Sequence, residues 1–172
     1  MMIPMAEPEH RARRVESVAC AVITVSDSRT VETDASGKLM RERLETEGHR
    51  VCTYEIIPDE PTRVRDRVLA LCDDAAIQAV LVTGGTGLAP RDTTFEAISE
   101  ILDKQLAGFG ELFRSLSFEQ IGSAAMLSRA TGGVCRSTLI FSMPGSIDAV
   151  SLAFDRLILP ELGHLAWLLV SR

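Results

Sequence analysis

The sequence predicts an α/β fold, a mostly parallel β-sheet with helices on both faces. Three observations carry that expectation. Short apolar runs rich in β-branched residues recur along the chain, as strands buried on both faces do. Segments with apolar residues at helical spacing separate them, and alternating strands and helices build parallel sheets through right-handed crossovers. The polar and glycine-rich breaks at 26–28, 59, 84–92 and 144–146 follow the apolar runs, and open parallel sheets bind ligands beyond the carboxyl ends of their strands.

The first strand is expected over 18–25, ended by Ser26-Asp27-Ser28. Ser36 and Gly37 open a helical pattern through Leu39, Met40 and Leu44, and Gly48 stops it. A second strand is expected over 51–57. Asp59 then occupies an N-cap position, with Pro61 just inside a helix that turns Val64, Val68, Leu69 and Leu71 inward. The third strand, 79–83, ends in Gly84-Gly85-Thr86-Gly87. Thr93 and Glu96 form a capping-box pattern that predicts a helix to about Leu102. Further helices are expected over 109–116 and 124–129, a strand over 137–143 ended by Pro144-Gly145, and closing helices over 147–157 and 160–169.

The chain has 172 residues, enough for one domain. Residues 1–14 are polar and basic and form a loose N-terminal tail, which leaves 15–172 as the domain. No apolar run has the length of a membrane span or a signal peptide. The formal net charge of -6 speaks against nucleic-acid binding, which calls for a basic stripe. The four cysteines form no close pair, and three lie in apolar stretches. They read as reduced, buried thiols and place the protein in the cytoplasm.

The chemistry-bearing residues follow the predicted strand ends. Gly84 to Gly87 let the backbone approach a ligand closely and turn successive N–H groups toward an anion. A tight turn without a ligand explains the same glycines, and neither a P-loop nor a GxGxxG pattern is present. Asp92 and Asp59 each read as a helix cap or as a magnesium ligand. Two carboxylates would repel a triphosphate unless a divalent cation lay between them. Arg129, after Ser128, has the geometry to clamp a phosphate, or to form an ordinary ion pair. Pro144-Gly145-Ser146 offers another helix N-terminus to an anion. His10, His49 and His164 neighbour no candidate nucleophile, so covalent Ser/His or Cys/His catalysis has little support.

Seven segments stand in one order: Thr24-Val-Ser-Asp-Ser28, Asp34-Ala-Ser-Gly37, Ile57-Pro-Asp-Glu60, Thr83-Gly-Gly-Thr-Gly87, Pro90-Arg-Asp92, Ala125-Met-Leu-Ser-Arg129 and Met143-Pro-Gly-Ser146. Together they resemble the MoaB/MogA family of molybdopterin-binding proteins, itself similar to the G domains of gephyrin and its plant counterpart. The stretch 108–123 is closer to the MoaB branch. The resemblance implies a three-layer α/β/α sandwich and a homotrimer or homohexamer. It implies magnesium-dependent transfer of AMP from ATP to the phosphate of molybdopterin, with release of pyrophosphate. Asp59 and Asp92 fall on the family's catalytic, metal-holding aspartates. Ser26, Asp27, Ser36, Gly37, Gly84 to Gly87, Ser128, Arg129, Pro144, Gly145 and Ser146 fall on substrate- and nucleotide-binding segments.

Some MoaB-branch members depart from the family at the Pro-Arg-Asp segment; here Arg91 and Asp92 are both present. That favours an enzyme over a non-catalytic molybdopterin carrier or a regulatory protein with a vestigial pocket. Molybdenum insertion is associated with larger relatives and would fall to a partner enzyme.

Overall fold

The computed structural model describes residues 13–171. Most of the expected tail, including His10, lies outside the described residues. Its last two residues run along the closing helix, where the Arg13 carbonyl lies 2.9 Å from His164 Nδ1.

Six strands form one sheet: β1 (Ala19–Val25), β2 (Arg50–Ile57), β3 (Ala79–Thr83), β4 (Lys104–Gln105), β5 (Thr131–Cys135) and β6 (Thr138–Met143), in the order β2-β1-β3-β6-β5-β4. The first three and β6 are parallel; β5 runs antiparallel to β6, and β4 antiparallel to β5. The helices are α1 (Ala35–Thr46), α2 (Pro61–Asp73), α3 (Thr94–Ser99), α4 (Ala107–Ile121), α5 (Ile147–Ala153) and α6 (Leu159–Val170).

The largely apolar runs of β1 and β3 follow from burial on both faces. Cys20, Val22 and Leu81 point into one core with Met40 and Leu44 of α1, Phe113 of α4, and Phe154 and Leu162 farther on. Ala21, Ile23, Val80 and Val82 point into a second core with Val64 and Val68 of α2 and Ile98 of α3. Helices therefore cover both faces, giving three layers. Among the described residues, no helix is long and apolar enough to cross a membrane.

Several boundaries differ from the sequence expectation. Strand β5 lies in a stretch where Gly132 and Gly133 obscure the strand pattern. A side chain on Gly133 would put its Cβ 2.1 Å from the Lys104 carbonyl oxygen, so β4 needs that glycine to pair. The segment expected as helix over 124–129 is a 3₁₀ turn, Gly122–Leu127. The expected helix 93–102 ends at Ser99, and the one over 109–116 extends to 107–121. The two closing helices join through a π turn, Phe154–Ile158. Pro160 brings no N–H to the ladder there, and a wider turn absorbs the break.

Candidate functional site

The parallel register brings the carboxyl ends of four strands to one rim. Val25 is level with Ile57, Thr24 with Thr83, and Thr83 with Met143. The loops after β1, β2, β3 and β6 leave that rim side by side, and they carry most of the residues singled out from the sequence.

The loop after β3 is the centre of the site. Gly84 and Gly85 have φ of 96° and 64°, which L side chains rarely tolerate. A Cβ on Gly84 would meet the Val25 carbonyl oxygen at 2.3 Å, so the loop is drawn tightly over the end of β1. Its carbonyls are taken by the protein. Gly85 O accepts from Thr94 N–H at 2.9 Å. Thr86 O accepts from Arg129 Nε at 2.9 Å, and Gly87 O and Asp92 O accept from Arg129 Nη2 at 2.6 and 3.1 Å. No acceptor among the described residues takes the N–H groups of Gly85, Thr86 or Gly87. Amides left unpaired while neighbouring carbonyls are bonded within the protein suit an anion.

Both candidate aspartates lie against the same loop. Cβ atoms on Gly85 and Gly87 would stand 2.7 Å from Asp59 Oδ2 and 2.4 Å from Asp92 Oδ2, respectively. Asp59 is not the cap of α2; that position belongs to Glu60, which makes no side-chain cap bond. The capping box at α3 does not form either. Thr93 is the N-cap residue but gives no side-chain cap bond. Glu96 pairs with Arg129 instead.

Asp59 Oδ1 is buried without a hydrogen-bond partner. Burial pushes the Asp59 carboxyl above its ordinary range, and the Asp92 and Asp27 charges push the same way, against the Thr93 N–H and Arg91. Among the described residues no three His, Cys, Asp or Glu side chains form a preformed metal cage. Two mutually repelling carboxylates, one with an orphaned oxygen, nevertheless fit magnesium, which takes one or two carboxylates and completes its shell with phosphate and water.

Asp27 ties the rim together. Its Oδ1 accepts from Asp59 N–H at 3.1 Å, and its Oδ2 pairs with Arg91 at 2.9 Å. Beside it a groove of about 540 Å³ opens between the loop after β1 and the end of β2, lined by Ser26, Arg29, Tyr54 and Pro58 among others.

Other expected residues form a supporting ring. Ser26 Oγ accepts from the N–H groups of Ser28 and Arg29 and shapes its own turn. Ser36 Oγ donates to Gly145 O at 2.8 Å, and Gly37 N–H is capped by Asp34 Oδ1 at 2.9 Å. Pro144 O accepts from Thr83 Oγ1 at 3.1 Å, and a Cβ on Gly145 would stand 3.2 Å from Gly84 Cα. Ser146 Oγ caps α5 by accepting from Ala149 N–H at 3.2 Å. Ser128 is half-buried at the end of the 3₁₀ turn, its N–H on Ala125 O. Arg129 is the largest departure: its fork is already filled by loop carbonyls and Glu96 rather than held open for a phosphate. Glu96 in this role, Thr94 behind Gly85, and the Asp34–Tyr54 hydrogen bond of 2.7 Å went unread in the sequence, because each depends on chain crossings that local spacing does not encode.

Comparison with known proteins places the same segments in context. The model of a family described as probable molybdopterin binding domain matches residues 21–164. Molybdenum cofactor biosynthesis protein B of Bacillus subtilis (strain 168) is 54% identical over 161 residues, 93% of this chain and 95% of that one. A solved structure of a molybdenum cofactor biosynthesis protein B is 49% identical, covering 93% of this chain and all of that one, with a TM-score of 0.90. The tungsten cofactor synthesizing protein MoaB from Pyrococcus furiosus is 37% identical, covering 86% of this chain and 93% of that one, with a TM-score of 0.76.

Proposed function

Because this chain belongs to the molybdopterin-binding MoaB family of molybdenum cofactor biosynthesis, we propose that it transfers AMP from ATP to the terminal phosphate of molybdopterin. The observation that carries this reading is the loop 84–92, with the Gly85, Thr86 and Gly87 amides unpaired, neighbouring carbonyls bonded within the protein, and an aspartate at each side. A site for a neutral ligand would have no use for that polarity.

Both reactants are anions and must be held together against their repulsion. The loop N–H groups align phosphate oxygens, which lowers the entropic barrier to in-line attack. A molybdopterin phosphate oxygen then bonds to the α-phosphorus of ATP, the bond from that phosphorus to the bridging oxygen breaks, and pyrophosphate leaves with the electron pair. Asp59 and Asp92 would hold magnesium, which when bound neutralises the triphosphate and the charge developing during transfer. No side-chain nucleophile is needed, in keeping with the thiols of Cys20, Cys72 and Cys135 being buried. The same reading takes 15–172 as one domain in a cytoplasmic homotrimer or homohexamer, with a molybdenum-insertion enzyme downstream.

The test is pyrophosphate release from ATP, magnesium and molybdopterin. Asp92→Asn should bind molybdopterin like the parent and lose about 100-fold or more in turnover. Undiminished turnover by that variant removes Asp92 from the mechanism. Molybdopterin binding by the parent protein with no pyrophosphate released replaces the enzyme by a carrier.

A further inference from the structure

We propose that Arg129, held by Glu96, is the positioning residue that sets the orientation of the Gly87 and Leu88 amides and of Asp92. The inference deepens the proposed function, since it concerns the same site, but its structural part stands without the reaction.

The geometry follows from planar, trans peptides. The described chain has no cis peptide bond. In a trans peptide the C=O and N–H point in opposite directions. Arg129 holds the carbonyls of Thr86 and Gly87, so the N–H groups of Gly87 and Leu88 must face away from the guanidinium. It also holds the Asp92 carbonyl. The N–H of that same peptide belongs to Thr93 and therefore points away from the guanidinium. One side chain thereby fixes where Asp92 leaves the backbone.

Arg129 is itself locked. Both of its Nη atoms bond to the Glu96 carboxylate, and its guanidinium lies 5.1 Å from the centre of the Phe95 ring. Its side chain is 21% exposed, whereas that of Glu96 is 52% exposed. A planar five-donor fork can satisfy three carbonyls and a carboxylate together; a lysine cannot. Filled in this way, Arg129 has little capacity left for a ligand phosphate and acts through the loop.

Glu96→Gln, Arg129→Lys and the double variant test the assignment. In ligand-free protein, amide hydrogen exchange over 84–93 should accelerate about tenfold or more in each single variant, with β1 and β3 unchanged. In the pyrophosphate assay kcat should fall about 100-fold for Arg129→Lys, the scale expected when catalytic groups are displaced by about an ångström. The KM for each substrate should change less, half-saturation should need more magnesium, and the double variant should lose less than the product of the single losses. Glu96→Gln guards against misfolding, because it alters an exposed carboxylate. Unchanged loop exchange in both single variants overturns the brace. So does a rise in KM alone for Arg129→Lys with Glu96→Gln silent, the pattern of direct phosphate contact. Faster loop exchange in the variants, with no pyrophosphate from the parent, would leave the brace standing and defeat adenylyl transfer.

Discussion

Asp59 illustrates how a site residue can oppose stability. Its carboxyl binds a proton more tightly in the folded protein than an ordinary aspartate does, chiefly because of burial and then because Asp92 and Asp27 are near. By linkage, the contribution that favours folding is fully present below the ordinary aspartate range, about pH 4, and is lost as pH rises through the raised value. At neutral pH the ionised side chain therefore costs stability in the ligand-free protein. Asp59→Asn should melt higher than the parent at pH 7.5, and the two should converge near pH 3.5, while turnover is lost. Thermal melts at the two pH values check the sign; a variant that melts lower at pH 7.5 would show that the native carboxylate is stabilising. In the sequence Asp59 and Asp92 each read as cap or ligand, and their place at neighbouring strand ends and the family resemblance favour the ligand. Excluding the cap at Asp59 needs Glu60 at that position and Gly85, which meets Asp59 only through the crossing of two loops.

At the scale of elements, the strands buried on both faces were the most legible. The runs 18–25 and 79–83 are apolar apart from Thr24 and Thr83, and β1 and β3 match them to within a residue. Legibility failed where pairing depends on missing side chains, as at Gly133 in β5, or on two residues, as in β4. At α3 the start at Thr93 was legible, but the capping box does not form, because Glu96 is drawn to Arg129 by a longer-range ion pair. The loop after β3 makes its own prediction. Gly84→Ala must accept φ near 96° and a Cβ 2.3 Å from the Val25 carbonyl, so it should destabilise by about 2 kcal/mol or more and abolish molybdopterin binding. Gly108→Ala, in α4 with nothing within 4 Å of the new Cβ, should be neutral or stabilising by up to about 1 kcal/mol. Urea unfolding of both variants gives the contrast; similar midpoints would mean that the loop relaxes and does not require glycine.

At the scale of the whole molecule, the surface is less finished than the interior. The two cores account for the inner faces of the helices, yet Phe118 and Ile121 of α4 are 61% and 54% exposed, and Met126 just beyond is 75% exposed. Phe118 and Ile121 share a face of the helix, being three residues apart. A separate, largely apolar groove of about 420 Å³ lies between α4 and α6, lined by Leu106, Leu112, Leu157 and Leu165. Isolated exposed apolar residues are ordinary, but contiguous ones mark contact surfaces. A closed trimeric ring repeats one heterologous interface between two different patches of each chain, and a dimer of trimers adds an isologous one, so both surfaces can be used. The proposed assembly therefore predicts a trimeric or hexameric mass by light scattering at micromolar concentration. Phe118→Glu should lower that mass while leaving the far-ultraviolet circular dichroism unchanged, because an exposed substitution costs the isolated fold little. Leu112→Glu, in the other surface, should convert a hexamer to trimers or leave a trimer intact if the α4 tip forms the ring. A parent protein that runs as a monomer throughout would show that these apolar surfaces have no copy of the chain as their partner.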